Sequence, residues 1–256
     1  MKVELASGLL VGFLLATARA AAWLLVAPPF SNRMVPTQVK VGLAAALGLA
    51  AAPKLAARGV PLETGALLGA AVLQVAIGLA LGFVTQVLFS AVQAAGELVD
   101  LFGGFTIAQA YDPFSNATAS VFGRFYQLLS IVLLFAIDGH LLLVRGFLDS
   151  FGAVGLSADD LGDLARLLTH SLSLLFVAAI EIAGPLLAAL FLAEVMLGLL
   201  SRAAPQMNVF SLGFPFKILL TLLLAGVTLP LLPQAVSSLL HDALRSTAAL
   251  ARALGG

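Results

Sequence analysis

The sequence predicts an all-α membrane protein built from about six apolar helical segments. Of its residues, 61% are hydrophobic and 10% are charged, whereas a soluble globular domain carries about 25% charged residues. The mean hydropathy is +1.09. The apolar residues come in long runs that charges, prolines and glycines separate, which is typical of helices that cross a bilayer. The 256 residues leave no room for a sizeable soluble domain beside about six spans, so we expect one integral membrane domain over residues 1–256.

The apolar segments differ markedly in length. They are Leu5–Ala27, Val41–Ala52, Thr64–Gly96, Phe125–Ile137 with a weak continuation to Val144, Leu167–Leu200 and Ile218–Leu240. A hydrocarbon core of about 30 Å needs about 20 residues, so the second and fourth segments are short and the third and fifth are long. This predicts that some segments are not regular lipid-facing spans. The triplet Ala18-Arg19-Ala20 imitates the cleavage site of a secretory signal. We expect an uncleaved helix instead, because apolar residues resume directly afterwards at Trp23.

Prolines and polar residues shape the last two segments. Pro185 cannot donate to the carbonyl of Glu181, which predicts a kink in the fifth segment. After Pro233, apolar residues recur at helical spacing opposite a polar side. This pattern predicts an amphipathic tail over residues 235–256 that lies on a membrane surface or a partner. A solvent-exposed terminal helix explains the pattern equally well.

Three glycine pairs one helical turn apart lie in the apolar segments: Gly8/Gly12, Gly65/Gly69 and Gly78/Gly82. Small residues at this spacing allow helix backbones to approach closely, which matters where hydrophobicity does not drive association. With 24 glycines in the chain, chance also produces such pairs. We expect close helix packing at these positions.

A polar stripe runs along the end of the third segment. Its members share one helix face because they are spaced by three or four residues: Gln86, Ser90, Gln93, Glu97 and Asp100. Lipid does not satisfy such groups, and each one left unpaired costs kilocalories per mole. We therefore expect the stripe to face protein, either inside a bundle or at a subunit contact beside a water-filled path.

An irregular stretch follows this stripe. The pair Gly103-Gly104 and then Asp112-Pro113 interrupt the helical pattern, and three aromatic residues lie within it: Phe105, Tyr111 and Phe114. Non-helical backbone among membrane segments is tolerated only where it is buried in protein or lines a cavity. The stretch is therefore either a structured element of that kind or an ordinary exterior loop.

A second interruption is the stretch SRAAPQMNVFSLGFPFK at residues 201–217. Its prolines disfavour helix in the preceding residue and remove backbone donors, and its glycine permits a turn. The amides can pair with backbone groups left open, and a basic residue lies at each edge. We predict a structured non-helical joint formed by Arg202, Pro205, Gln206, Asn208, Gly213, Pro215 and Lys217.

Ionisable residues within the apolar segments are the remaining candidates for chemistry. Arg19, Glu181 and Glu194 are expected to be buried charges with partners, because an unpaired charge in a bilayer costs several kcal/mol. A proton relay through the two glutamates is the alternative to structural pairing. The three histidines are too scattered for a metal site, and no catalytic or phosphate-binding motif is present. We expect no catalytic residue, metal or cofactor, and no nucleic-acid partner.

An ordered series of motifs over most of the chain resembles the FliR family. The early motifs are Arg19, Pro28, Arg33, Val35-Pro36, Lys40 and residues 77–83; they continue with Ala95-Gly96-Glu97, Asp112-Pro113 and Gly139-His140-Leu141. The most specific block is LGLLSRAAPQ at residues 197–206, followed by Phe210 and Gly213-Phe214-Pro215. Injectisome homologues share a related Pro-Gln…Phe…Pro pattern, so a flagellar protein is the better prediction and an injectisome subunit is the alternative.

The resemblance implies a non-enzymatic subunit of the flagellar type III protein export gate in the bacterial inner membrane. Such subunits assemble with FliP and FliQ, work beside FlhA and FlhB, and pass unfolded flagellar proteins. The implied fold is a FliP-like part followed by a FliQ-like part, with kinked helices and hairpins. The irregular stretch would be a pore plug, which carries over to Phe105, Tyr111, Asp112, Pro113 and Phe114. A small-solute transporter is a more distant alternative and would show inverted halves.

Overall fold

The computed structural model describes residues 2–32, 35–57, 59, 63–106, 120–153, 160–206 and 209–255, and these form helices and turns without a strand. The main helices are α1 (Lys2–Val26), α2 (Thr37–Ala56), α3 (Thr64–Gly103), α4 (Val121–Ala136), α5 (Gly139–Ala153), α6 (Asp160–Ala203), α7 (Val209–Thr228) and α8 (Leu232–Gly255). A short 3-10 helix, Leu229–Leu231, joins the last two. The prediction of an all-α membrane protein is confirmed.

Helices α1, α2, α3 and α6 are longer than the apolar segments that predict them, and the sixth segment divides between α7 and α8. Five described helices are long and apolar enough to cross a membrane, and α4 with α5 could add a sixth as one bent span. These two helices meet at an angle of 78°. The bend lies at Asp138, whose φ is 55°, in the left-handed region that aspartate tolerates better than most residues. The fourth segment is therefore two helices rather than one fading span.

The chain folds into two compact units. The first unit comprises Met1–Leu88, Asp138–Ser173 and Leu240–Gly256. Its interior lies around α1, where Trp23 stacks on Phe147 of α5 with 4.6 Å between ring centroids. A Cβ added at Gly82 would lie 3.0 Å from the Trp23 carbonyl. The glycines of α3 therefore allow α1 to approach closely.

The three predicted glycine pairs differ in how closely they pack. A Cβ at Gly78 would collide with the Arg19 carbonyl, so the pair Gly78/Gly82 is a packing site as expected. Gly12 approaches Ala52 of α2, but a Cβ at Gly8 would meet nothing within 4 Å. The pair Gly65/Gly69 also faces open space. The prediction of close helix packing is therefore wrong for Gly65/Gly69 within this chain.

The second unit comprises Phe89–Ile137 and Leu174–Leu239. Its core collects apolar residues of four helices and the start of a fifth: Val92, Ala95 and Val99 of α3, Phe122 and Tyr126 of α4, Ala183, Leu186 and Leu190 of α6, Ala225 of α7, and Leu232 and Val236 of α8. Burial of such side chains stabilises a fold by about 1.5–3 kcal/mol each in water. This core holds the end of α3 against the start of α4.

The tail forms helix α8, and its apolar side is covered by the chain itself. Leu232, Val236, Leu240 and Ala243 are buried, while His241 is exposed. Leu244 would touch a Cβ placed at Gly146 of α5. Up to Arg245, the apolar side of the predicted amphipathic tail therefore packs against the chain itself.

Candidate functional site

The polar stripe lies on α3 as a continuous helical face. Gln86, Ser90 and Gln93 are half-buried, Glu97 is exposed and Asp100 is buried. The amide nitrogen of Gln93 donates to Oε1 of Glu97 over 2.8 Å, as expected for residues four apart on a helix. The stripe therefore ends in two carboxylates with different surroundings.

Asp100 binds the first turn of α4. Its Oδ2 accepts hydrogen bonds from the hydroxyl of Ser120, from the backbone N–H of Phe122 over 2.9 Å and from the N–H of Gly123 over 3.4 Å. The Ser120 hydroxyl oxygen also accepts from the Gly123 N–H over 2.8 Å. A helix start has unpaired N–H groups and a partial positive charge, and this carboxylate and the Ser120 cap satisfy both.

The backbones of α3 and α4 touch at this junction. A Cβ at Gly96 would lie 2.5 Å from the Phe122 carbonyl, and one at Gly123 would lie 2.7 Å from Cγ of Glu97. Two helices with side chains at both positions would be pushed apart. We call the set Gly96, Asp100, Ser120, Phe122 and Gly123 the Asp100 junction.

The predicted plug residues lie mostly outside the described residues: Tyr111, Asp112, Pro113 and Phe114. Phe105 is described and lies edge-on against Phe122, with 5.3 Å between ring centroids. Just before it, Gly104 has φ 86°, and its position lies against the ring of Phe214 of α7. Phe105 therefore contributes to the core of the second unit where the irregular stretch begins.

The predicted joint is non-helical only at its centre. α6 continues through Arg202 to Ala203, the N–H of Ala204 closes its last turn, and Pro205-Gln206 form a turn. Asn208 lies outside the described residues. The first proline therefore acts as predicted, because it prevents the helix from continuing.

The second half of the predicted joint is helical, which corrects the prediction for Gly213, Pro215 and Lys217. All three lie inside α7. Pro215 has no N–H to donate inside the helix, which removes one helical hydrogen bond, whereas a non-helical stretch would leave several backbone groups open. Gly213 also allows Leu197 of α6 to pack within 3.1 Å of where a Cβ would lie.

An ion pair joins α6 and α7 after this turn. Lys217 pairs with Glu194; the exposed fraction of the lysine side chain is 18% and that of the glutamate side chain is 62%. Glu181 is exposed on α6. The expected burial of the two glutamates is therefore wrong, because both side chains are exposed on this chain. Glu194 has the partner that we expected.

Arg19 is fully buried in the first unit. Its Nε donates to Oε1 of Gln74 over 2.7 Å, and Nη1 donates to the Ser150 hydroxyl over 3.3 Å. The guanidinium carbon lies 4.2 Å from the ring centroid of Phe151, which is a cation–π distance. Arg19 therefore links α1 to α3 and α5.

Two of these partners, Gln74 and Ser120, have signals of their own in the sequence. Gln74 is the only polar residue between Ala66 and Val84, and an isolated amide in such a run needs a partner. Ser120 lies five residues before the apolar segment that begins at Phe125, and serine is a preferred N-cap residue. No group of metal-ligating side chains occurs among the described residues.

Comparisons with known proteins identify relatives of this chain. A family described as "Bacterial export proteins, family 1" matches residues 10–243. The flagellar biosynthetic protein FliR of Escherichia coli (strain K12) is 37% identical over 215 residues, 84% of this chain and 82% of that protein. FliR of Pectobacterium carotovorum subsp. carotovorum is 32% identical over 225 residues, 88% of this chain and 86% of that protein.

A shorter match joins the chain to a differently named protein. The surface presentation of antigens protein SpaR of Shigella flexneri is 32% identical over 149 residues, 58% of this chain and 58% of that protein. The FliR matches cover more of both chains, and the family match spans every described helix from α2 to α7. The chain therefore belongs to the FliR family of bacterial export proteins.

Proposed function

We propose that the chain is a non-enzymatic subunit of the flagellar protein export gate, embedded as a multi-pass protein in the bacterial inner membrane at the flagellar basal body. The observation that carries this proposal is the match to FliR proteins over more than four fifths of the chain. Unfolded flagellar proteins would be the cargo. FliP-like and FliQ-like subunits would surround the chain, with FlhA and FlhB beside them.

The exposed charges support a subunit rather than a protein that works alone in lipid. Glu181 lies near the middle of the apolar stretch Leu168–Ala203 and is exposed on the chain. An acidic side chain facing lipid at a helix centre costs roughly 2.5–3.5 kcal/mol on insertion scales. Glu97 on α3 and the pair Glu194–Lys217 add to this cost. Protein partners or water at these faces remove it.

The irregular stretch around Asp112-Pro113 is the proposed obstruction of the conduit. Described residues on either side of it are in contact, since the ring of Phe105 packs against that of Phe122. Flanking residues that pack in one helical core suit an element that must hold its position in a channel. We keep Tyr111, Asp112, Pro113 and Phe114 as the proposed plug residues, with Phe105 at the base.

An injectisome subunit is the second candidate, and the SpaR match favours it. That match covers 58% of the chain, compared with 84% for the first FliR. The flagellar role therefore has the broader support.

The experiment that tests the subunit role is purification from membranes in mild detergent, followed by native mass measurement. We expect the chain to be recovered with FliP-like and FliQ-like subunits encoded by the same bacterium. A charge-reversed variant, Glu181→Lys, should recover less of them than Asp149→Lys, which changes an exposed residue of the first unit. A stable monomer that captures neither subunit would contradict the proposal.

A further inference from the structure

We propose that the exposed face of α6 around Glu181 is the docking site for an apolar helix of another subunit, and that this helix carries an arginine at the depth of Glu181. The guanidinium would donate hydrogen bonds to the Glu181 carboxylate. We call the set Glu181, Gly184, Pro185 and Ala188 the Glu181 face. This inference rests on the proposed subunit role and adds the chemistry of one contact to it.

Glu181 is an exposed carboxylate deep within an apolar stretch. It lies 13 residues after Leu168 and 22 before Ala203, the limits of that stretch. At 1.5 Å per residue, it is about 20 Å from the nearer end. Its side chain has no hydrogen bond and no ion pair among the described residues. The compensation of its charge therefore has to come from outside the part of the chain that the structure describes.

A proline makes the same level of α6 richer in hydrogen-bond acceptors. Pro185 lies inside α6 and has no N–H, so the carbonyl of Glu181 loses the donor that a helix usually supplies four residues later. A carboxylate and a carbonyl both require donors. Arginine carries five N–H groups in a planar fork and stays charged, whereas lysine is a single point charge. The acceptors therefore favour a guanidinium.

The shape of the Glu181 face suits a second helix. A Cβ added at Gly184 would meet nothing within 4 Å, and Ala188 is exposed. Both share a face with Glu181 because they follow it by three and seven residues. Larger apolar side chains lie on either side along the helix, with Val177 53% and Leu192 63% exposed. Small residues between larger ones allow a partner backbone to approach closely.

Lipid does not meet the requirements of this face. Acyl chains offer no hydrogen-bond donor, and headgroups lie at the membrane surface rather than about 20 Å along a helix from either end of its apolar stretch. A partner helix with an arginine supplies charge, donors and apolar contact together. In an apolar environment such a charge-assisted bond is also stronger than on a wet surface.

The first test identifies what covers the Glu181 face in the complex within its own membrane. A photoreactive benzophenone residue replaces Val177, one turn from Glu181, and mass spectrometry maps the cross-linked peptide. We expect an apolar segment of another subunit with an arginine within two helical turns of the cross-link. Cross-links only to lipid, to this chain or to a segment without arginine would overturn the inference. The same replacement at Val72, which is 71% exposed on α3, is the matched control and should not capture that segment.

The second test measures how fast the purified complex dissociates after dilution in mild detergent, with native mass measurement as the readout. We expect Glu181→Ala to accelerate dissociation roughly tenfold, because a charge-assisted hydrogen bond is lost, and Glu181→Gln to accelerate it less. Glu63→Gln makes the same chemical change at an exposed residue just before α3 and should leave the rate unchanged. Glu181→Arg combined with arginine→Glu in the cross-linked partner should restore slow dissociation.

The outcomes separate the inference from the function on which it rests. A parent chain that purifies alone would overturn the subunit role and this inference with it. A stable parent complex whose Glu181→Ala variant dissociates at the parent's rate would overturn the inference and leave the subunit role intact. A charge-swapped pair that dissociates as fast as either single variant would also overturn the inference. If Glu181→Ala fails to assemble, the rate of the isosteric Glu181→Gln decides by the same criterion.

Discussion

Arg19 shows how a charge is accommodated inside an apolar helical unit. Its guanidinium donates to Gln74 and Ser150 and lies over the Phe151 ring. These contacts replace the water that a charged group loses on burial. The arginine thus joins α1, α3 and α5 through directional bonds, which supplement the packing of small and apolar residues.

Replacing Arg19 by alanine should destabilise the first unit by about 3 kcal/mol or more. The change leaves a cavity and removes the guanidinium N–H groups that donate to Gln74 and Ser150. Trp23, the single tryptophan of the chain, lies four residues away and provides the fluorescence signal for unfolding in detergent. The control is the double variant Arg19→Met with Gln74→Leu. It fills the space with apolar groups and should recover most of the loss. An Arg19→Ala unfolding curve that overlaid the parent's would refute this role.

The sequence predicted that Arg19 needs partners, but it did not predict which ones. The need follows from the cost of a charge among apolar residues, which is a local property. The partners lie 55 and 131 residues away, so only the packing of three helices brings them together. The same holds for Asp100, whose place on a polar stripe follows from spacing while its bonds to Ser120 and Phe122 follow from tertiary structure.

Among the helices, the two prolines of stretch 201–217 show where local rules apply and where packing overrides them. Pro205 lies just after the end of α6 at Ala203 and forms a turn with Gln206. Pro215 lies within α7, where the helix loses one hydrogen bond but keeps its contact with α6 through Gly213 and Leu197. The bend between α4 and α5 requires left-handed backbone geometry at Asp138. In the sequence, the polar interruption Asp138-Gly139-His140 was the only signal for it.

Deleting Tyr111–Ser115 should make the membrane that contains the assembled complex leaky to small solutes, because it shortens the proposed obstruction. Dye efflux from liposomes measures this directly. The matched control removes five residues from the tail, 251–255, far along the chain from the segment. Equal efflux from the deletion variant and the parent would count against the obstruction.

For the molecule as a whole, apolar helices carry polar groups on faces that the chain leaves uncovered. Glu97, Glu181 and Glu194 are exposed on helices that are otherwise suited to lipid. The uneven lengths of the helices point the same way, since α3 has 40 residues and α6 has 44, about twice what a span needs. Both features are expected of a chain whose surroundings are largely other protein.

The most direct test of the flagellar role is removal of this chain from the bacterium that encodes it. We predict that cells without it make no flagellar filaments and do not swim, while other membrane functions persist. A plasmid copy of the intact chain should restore both filaments and swimming. Electron microscopy counts filaments, and soft-agar spreading measures swimming. Filaments and swimming at the parent's level in cells that lack the chain would contradict the account.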